Sequence, residues 1–150
     1  MKIYIGADHG GYILKEEIKK WLTEWRYDFE DLGAKEFNPT DDYPDFAWPV
    51  ATKVGSEFEA FGILVCRSGQ GVCIVANKTK GSRAVVAWNE QSAYSARNDD
   101  DANILCLASD YTDVQNVKKI VETFLKTRFD NDERFVRRIN KIKKIENDLK

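Results

Sequence analysis

Six consecutive residues, Cys66-Arg67-Ser68-Gly69-Gln70-Gly71, set a thiol beside a guanidinium, a hydroxyl and two glycines. A cysteine at a helix start and next to a cation is drawn toward its thiolate, because backbone N–H dipoles and a nearby positive charge both favour the anion. Such a sulfur acts either as a nucleophile or as a base that takes a proton from carbon. The glycines after it can bring backbone N–H groups onto a phosphate or a developing oxyanion. A tight strand-to-helix turn also needs glycine for steric reasons alone. A second turn of this kind, Asp8-His9-Gly10-Gly11, carries the only histidine of the chain. That histidine directly follows a carboxylate and is expected to contact a ligand. A third group lies near the carboxyl terminus. Arg134 and Arg138 fall four residues apart, with Arg137 adjacent, so they share a helix face. Paired guanidiniums suit bidentate phosphate binding, and equally a solvated basic face.

These groups need a scaffold that brings them together. Short apolar runs alternate with longer stretches at helical spacing. Strands are expected over 2–7, 27–32, 61–66, 83–88 and 103–108. Helices are expected over 12–25, 44–58, 69–77, 90–98 and 113–126, with Asp113 as a cap. Pro49 either starts or kinks the second of them. A basic amphipathic helix over about 131–149 carries Phe135, Ile139, Ile142 and Ile145. Five strand–helix units in a row imply one α/β domain, residues 1–150, with a parallel sheet covered on both faces. Ligands of such sheets bind beyond the carboxyl ends of the strands, where the connections diverge. If the first strand is central, the two glycine turns flank that crevice. The last helix is either a solvated surface helix or one that packs on a partner subunit.

Composition narrows the function classes. At 150 residues with 43% hydrophobic and 32% charged content, the chain can bury a core. A net charge of −2 argues against general nucleic-acid binding. No apolar run reaches membrane-spanning length, and Met1-Lys2-Ile3-Tyr4-Ile5 enters a strand at once, so a cytoplasmic location is expected. Three cysteines without CxxC spacing speak against a disulfide framework or a zinc site. Cys73 and Cys106 read as buried small hydrophobes. Neither GxGxxG nor GxxxxGK[ST] is present to hold a nucleotide.

The ordered set of motifs resembles the type B ribose-5-phosphate isomerases and the related galactose- and allose-6-phosphate isomerases. It runs from Gly6-Ala7-Asp8-His9-Gly10-Gly11 with Leu14-Lys15, through Asp42-Tyr43-Pro44-Asp45-Phe46-Ala47, to Gly62-Ile63-Leu64-Val65-Cys66 with Gly69 and Gly71. It continues with Ala76-Asn77-Lys78, Gly81, Arg83-Ala84 and Asp101-Ala102-Asn103-Ile104-Leu105, and closes with Arg134 and Arg138. The resemblance implies a Rossmann-like three-layer α/β/α sandwich with a five-stranded parallel sheet. It further implies a homodimer, sometimes paired into tetramers, with sites between subunits. The substrate implied is a phosphosugar, and neither a metal nor an organic cofactor. By the same resemblance Cys66 takes the proton beside the carbonyl, giving an enediolate. Ser68, Gly69 and Gly71 form the loop that stabilises its oxygen. Asp8 and His9 contact sugar hydroxyls and phosphate, Tyr43 lies beside the sugar, and Arg134 and Arg138 bind phosphate.

Four positions depart from the family pattern. Arg67 replaces a glycine, Asp99 and Asp100 replace the His-Asn of a ring-opening stretch, and Asp110 stands where an arginine is usual. The expectation is that Arg67 pairs with Asp99 or Asp100, or takes over a substrate contact. Asp99 remains the ring-opening candidate, since a carboxylate can exchange protons with a sugar hydroxyl. Two functions follow: an aldose–ketose isomerase of a phosphosugar, or a non-catalytic phosphosugar binder. An isomerase of an unusual or open-chain sugar phosphate is the third possibility.

Overall fold

The computed structural model describes residues 1–149. In chain order the elements are β1 (Lys2–Ala7), α1 (Tyr12–Glu24), β2 (Asp28–Asp31), α2 (Pro44–Ser56), β3 (Ala60–Cys66), α3 (Gln70–Ala76), β4 (Ala84–Val86), α4 (Glu90–Asp100), β5 (Ile104–Ala108), α5 (Val114–Lys126) and α6 (Glu133–Asp148). All strand pairs are parallel, in the order β2-β1-β3-β5-β4. The chain steps outward from β1 to β2, then crosses back to place β3 on the other side of β1. Their connections leave in opposite directions, which opens a crevice at the carboxyl ends of β1 and β3. The expected α/β/α sandwich is the fold observed.

Side chains alternate between the two faces of each strand. Ile3, Ile5, Leu105 and Leu107 face α1, α4 and α5 in one core, with Ile18 and Phe124 between them. Tyr4, Leu64, Ile104 and Cys106 face α2 and α3 in the other, against Val50 and Val72. The central strands are buried on both sides, so they read as continuous apolar runs. The edge strands β2 and β4 are shorter than the sequence suggests, because each has one neighbour and its ladder ends sooner. Pro49 lies inside α2, neither at its start nor beyond its end. Where α4 was expected to stop at Asn98 it continues to Asp100 and is closed by Asp101 in a left-handed conformation. The Asp101 carboxylate receives Arg83 and Arg97, each at 2.8 Å.

One charged group is wholly interior. Lys15 of α1 is fully buried and donates to Asp31 at the end of β2 at 2.6 Å, where Lys19 also donates at 2.7 Å. Burial pushes the Asp31 carboxyl up, but the donated hydrogen bonds outweigh it and hold it below its ordinary value. The three cysteines are free. Cys106 is buried as expected, whereas Cys73 is only half-buried and its thiol donates to the Ala84 carbonyl at 3.3 Å. Helix α6 meets α4 through the chain's own packing, with Phe135 and Ile139 buried and Ile142 and Ile145 exposed. No helix among the described residues is long and apolar enough to cross a membrane.

Candidate active site

Cys66 is the last residue of β3 and pairs with Ala108 of β5. Its side chain is 5% exposed, closed beneath the turn that follows, and its Sγ accepts the Gly69 N–H at 3.1 Å. Gly69 has a φ of 73°, the left-handed conformation that aims its amide back at the sulfur. An N–H in that position stabilises negative charge on Sγ. It also removes the Gly69 amide from the set available to an oxyanion. Ser68 turns its Oγ toward the Gln70 N–H at 3.4 Å. The first amides of a helix have no intrahelical acceptor, so the N–H groups of Gly71 and Val72 remain for a ligand oxygen. Val72 was not singled out from the sequence. The Tyr43 ring packs flat against Gly71, where a Cβ would approach its Cζ to 2.8 Å. Tyr43 caps α2 and is 39% exposed, so it roofs the start of α3 from outside.

The turn after β1 lies directly alongside. A Cβ on Gly11 would sit 2.3 Å from the Val65 carbonyl oxygen, so the two turns can approach only through glycine. Asp8 is nearly buried and accepts the Gly11 N–H at 3.1 Å. Burial pushes its carboxyl above the ordinary value, with the Gly11 amide and His9 acting in the opposite sense. Asp41, in the loop between β2 and α2, accepts both the His9 backbone N–H at 2.9 Å and Nδ1–H at 2.7 Å. That bond with Asp41 raises the His9 pKa above its ordinary value. Sequence reasoning missed Asp41. Its sole signal was a place two residues before Tyr43, and only the fold brings it across to His9.

Arg67 does not pair with Asp99 or Asp100. Its stem lies over Gly10 and its guanidinium reaches Asp110 at 3.5 Å. The reason is topological: Asp110 follows β5, at the carboxyl end beside Cys66, whereas Asp99 and Asp100 precede β5 at the other end. Two backbone bonds and one serine hydroxyl hold the three turns as one surface. Ser109 N–H donates to the Cys66 carbonyl and Asp110 N–H to the Arg67 carbonyl, both at 3.0 Å. Ser109 Oγ donates to the Gly10 carbonyl at 2.7 Å. Cys66, Ser68, Gly69, Gly71, Asp8, His9, Tyr43 and Arg67 are thereby gathered at one end of the sheet.

Asp99, Asp100, Arg134 and Arg138 form a separate group. The five residues of β5 stand between them and Cys66, a length of about 16 Å at the usual rise per residue. Partial burial and the neighbouring Asp99 push the Asp100 carboxyl up, and Arg138 pulls it down. Arg134 and Arg138 flank the Phe135 ring at 4.7 and 5.8 Å from its centroid. Both guanidiniums are exposed. A single copy of the chain therefore does not bring this group to Cys66.

Comparison with known proteins fits this geometry. The ribose/galactose isomerase family pattern matches residues 3–142. A probable ribose-5-phosphate isomerase B of Mycoplasma genitalium is 46% identical, over 93% of this chain and 92% of that protein. The ribose-5-phosphate isomerase B of Mycobacterium tuberculosis is 35% identical over 93% of this chain and 86% of its own. Among solved structures, the Mycoplasma genitalium enzyme with bound ribulose-5-phosphate superposes with a TM-score of 0.94 at 43% identity, covering 97% of this chain and 96% of that one. The Clostridium thermocellum ribose-5-phosphate isomerase B also gives 0.94, at 42% identity and full coverage of both chains. On sequence and on fold alike, the chain belongs to the ribose/galactose isomerase family.

Proposed function

We infer that this protein is an aldose–ketose isomerase that interconverts ribose 5-phosphate and ribulose 5-phosphate through an enediolate. The observation that carries the reading is the Cys66 sulfur under the Gly69 N–H, beside helix amides without acceptors and a turn bearing Asp8 and His9. With the sugar in its open form, the Cys66 thiolate takes the proton from C2. The electron pair moves through the C1–C2 bond onto the carbonyl oxygen at C1. The amides of Gly71 and Val72 hold that oxygen, and Ser68 Oγ relays the hydroxyl proton from O2 to O1. Cys66 then returns its proton to C1, giving the ketose with no net gain or loss of electrons. A positioned base contributes about 10²–10⁴-fold to such a step.

Asp8 accepts from sugar hydroxyls, Tyr43 covers the sugar, and His9 and Arg67 face the phosphate. Asp99, Asp100, Arg134 and Arg138 come from a second copy of the chain, which completes each site in a homodimer. In that arrangement Asp99 exchanges the ring hydroxyl proton and the two arginines bind phosphate. Three free thiols suit a reducing cytoplasm.

The test is turnover of ribose 5-phosphate and of allose 6-phosphate by the purified protein. Turnover of the pentose phosphate supports the reading, and conversion of neither sugar contradicts it. A second reading, a phosphosugar binder without turnover, is favoured by the acids at Asp99, Asp100 and Asp110. It predicts saturable binding with no exchange of the C2 hydrogen in deuterated water.

A further inference from the structure

The His9–Asp41 contact is unlike the other ion pairs of the molecule. One carboxylate oxygen, Oδ1, accepts two hydrogen bonds from the same residue, at 2.9 Å from the backbone N–H and 2.7 Å from the ring. The Asp41 side chain is 8% exposed, and its other oxygen, Oδ2, is buried with no hydrogen-bond partner. A half-satisfied buried carboxylate is costly unless a cation lies against it. His9 is the group in that place, and its side chain is 26% exposed. Taking up Nδ1–H leaves one free ring nitrogen, Nε2, and fixes the plane in which it points.

We propose that Asp41 is a positioning residue: by holding Nδ1–H of His9 it presents an Nε2–H donor to the phosphate of the substrate. This rests on the phosphosugar reading above and deepens it. The charged groups acting on the ring are Asp8 on its own turn and Asp41 from the loop before α2, while the Arg67 stem lies over neighbouring Gly10 and its guanidinium turns to Asp110. The two carboxylates raise the His9 pKa, so the imidazole keeps its charge above its ordinary value and loses it as pH rises through the raised one. A phosphate monoester takes its second charge near pH ~6. Dianion and imidazolium thus coexist between that value and the raised His9 value, the window in which a charge-assisted hydrogen bond can form.

The single histidine makes the test direct, because its Cε1–H gives one resonance in the intact protein. In the free enzyme, Asp41→Asn is expected to move the titration midpoint of that resonance down toward the ordinary histidine value. Asp41→Glu is expected to move it less. Should Asp41→Asn fail to fold, Asp41→Glu alone decides the matter by its downward shift. With ribose 5-phosphate, Asp41→Asn raises KM by about tenfold, changes kcat little, and moves the alkaline limb of kcat/KM to lower pH. His9→Gln combined with Asp41→Asn loses no more than His9→Gln alone. A midpoint unmoved by either Asp41 substitution, or additive losses in the double variant, overturns the proposal. If the protein turns over no sugar, the same resonance read against inorganic phosphate still decides it. An unchanged phosphate affinity in Asp41→Asn would then count against it, separately from any failure of the isomerase reading.

Discussion

At the carboxyl end of the sheet, Cys66 and Arg67 are tied by backbone hydrogen bonds to the turn after β5, and the Ser109 hydroxyl of that turn ties in the turn bearing Asp8 and His9. At the amino end, Asp99, Asp100, Arg134 and Arg138 lie on α4 and α6, both arginines are exposed, and Arg134 pairs with Asp132 at its own helix start. One end is built to fixed geometry by glycines that admit no Cβ. The other is an exposed charged face of α4 and α6, where Arg138 acts on the Asp100 carboxyl. The contrast is between a site fixed by its own turns and a charged group about 16 Å away; on the reading proposed above, the second group serves a site only when supplied by another copy of the chain.

The largest expected effect comes from separating the two regions. Replacing both Arg134 and Arg138 with alanine should lower kcat/KM by about 10²–10⁴-fold, since a hydrogen bond to a charged group is worth about 1.5–3 kcal/mol. Cys66→Ala chains mixed and reassembled with Arg134→Ala/Arg138→Ala chains should recover a substantial part of the turnover, because one site of each mixed dimer has both halves intact. Steady-state assays of the mixture check this, and no recovery would mean that each copy works alone.

Next in size is the support beneath the carboxyl end. Asp31→Asn leaves Lys15 buried with only Glu16 beside it and should cost about 3 kcal/mol of stability, seen in denaturant melts. The sign with pH follows from the depressed Asp31 carboxyl. Its contribution is present above the ordinary carboxylate value and is lost as pH falls through the lower folded one. Wild type should therefore lose stability in that acid window, and the variant should lose less.

A smaller effect is expected where the roof meets the loop. Gly71→Ala sets a methyl within 2.8 Å of the Tyr43 ring and should lower kcat/KM about tenfold by moving that ring. Thermal stability should change little, because alanine is the better helix former by about 1 kcal/mol. A variant with full activity would show that Tyr43 does not shape the site.

Much of the molecule was legible from residue order. The central strands announced themselves because burial on both faces leaves little room for polar residues, and the two glycine turns marked the crevice. Edges were less legible: β2 and β4 lose their ladders where no second neighbour exists, which local pattern does not encode. Arg67 was set against Asp99 and Asp100, although the strand expected over 103–108 already left Asp110 alone at the Cys66 end; the pairing followed the departures from the family pattern and not the topology. Asp41 was hidden for a different reason. Its partner lies 32 residues away, and nothing in an Asn-Pro-Thr-Asp-Asp loop distinguishes a buried carboxylate from a solvated one.

The measurement that bears most directly on the enediolate account is hydrogen exchange at C2 of ribose 5-phosphate in deuterated water, comparing wild type with Cys66→Ala. The account predicts solvent deuterium at C2 in wild type, with exchange and net turnover both reduced about 10²–10⁴-fold in the variant. Undiminished exchange in Cys66→Ala would contradict it.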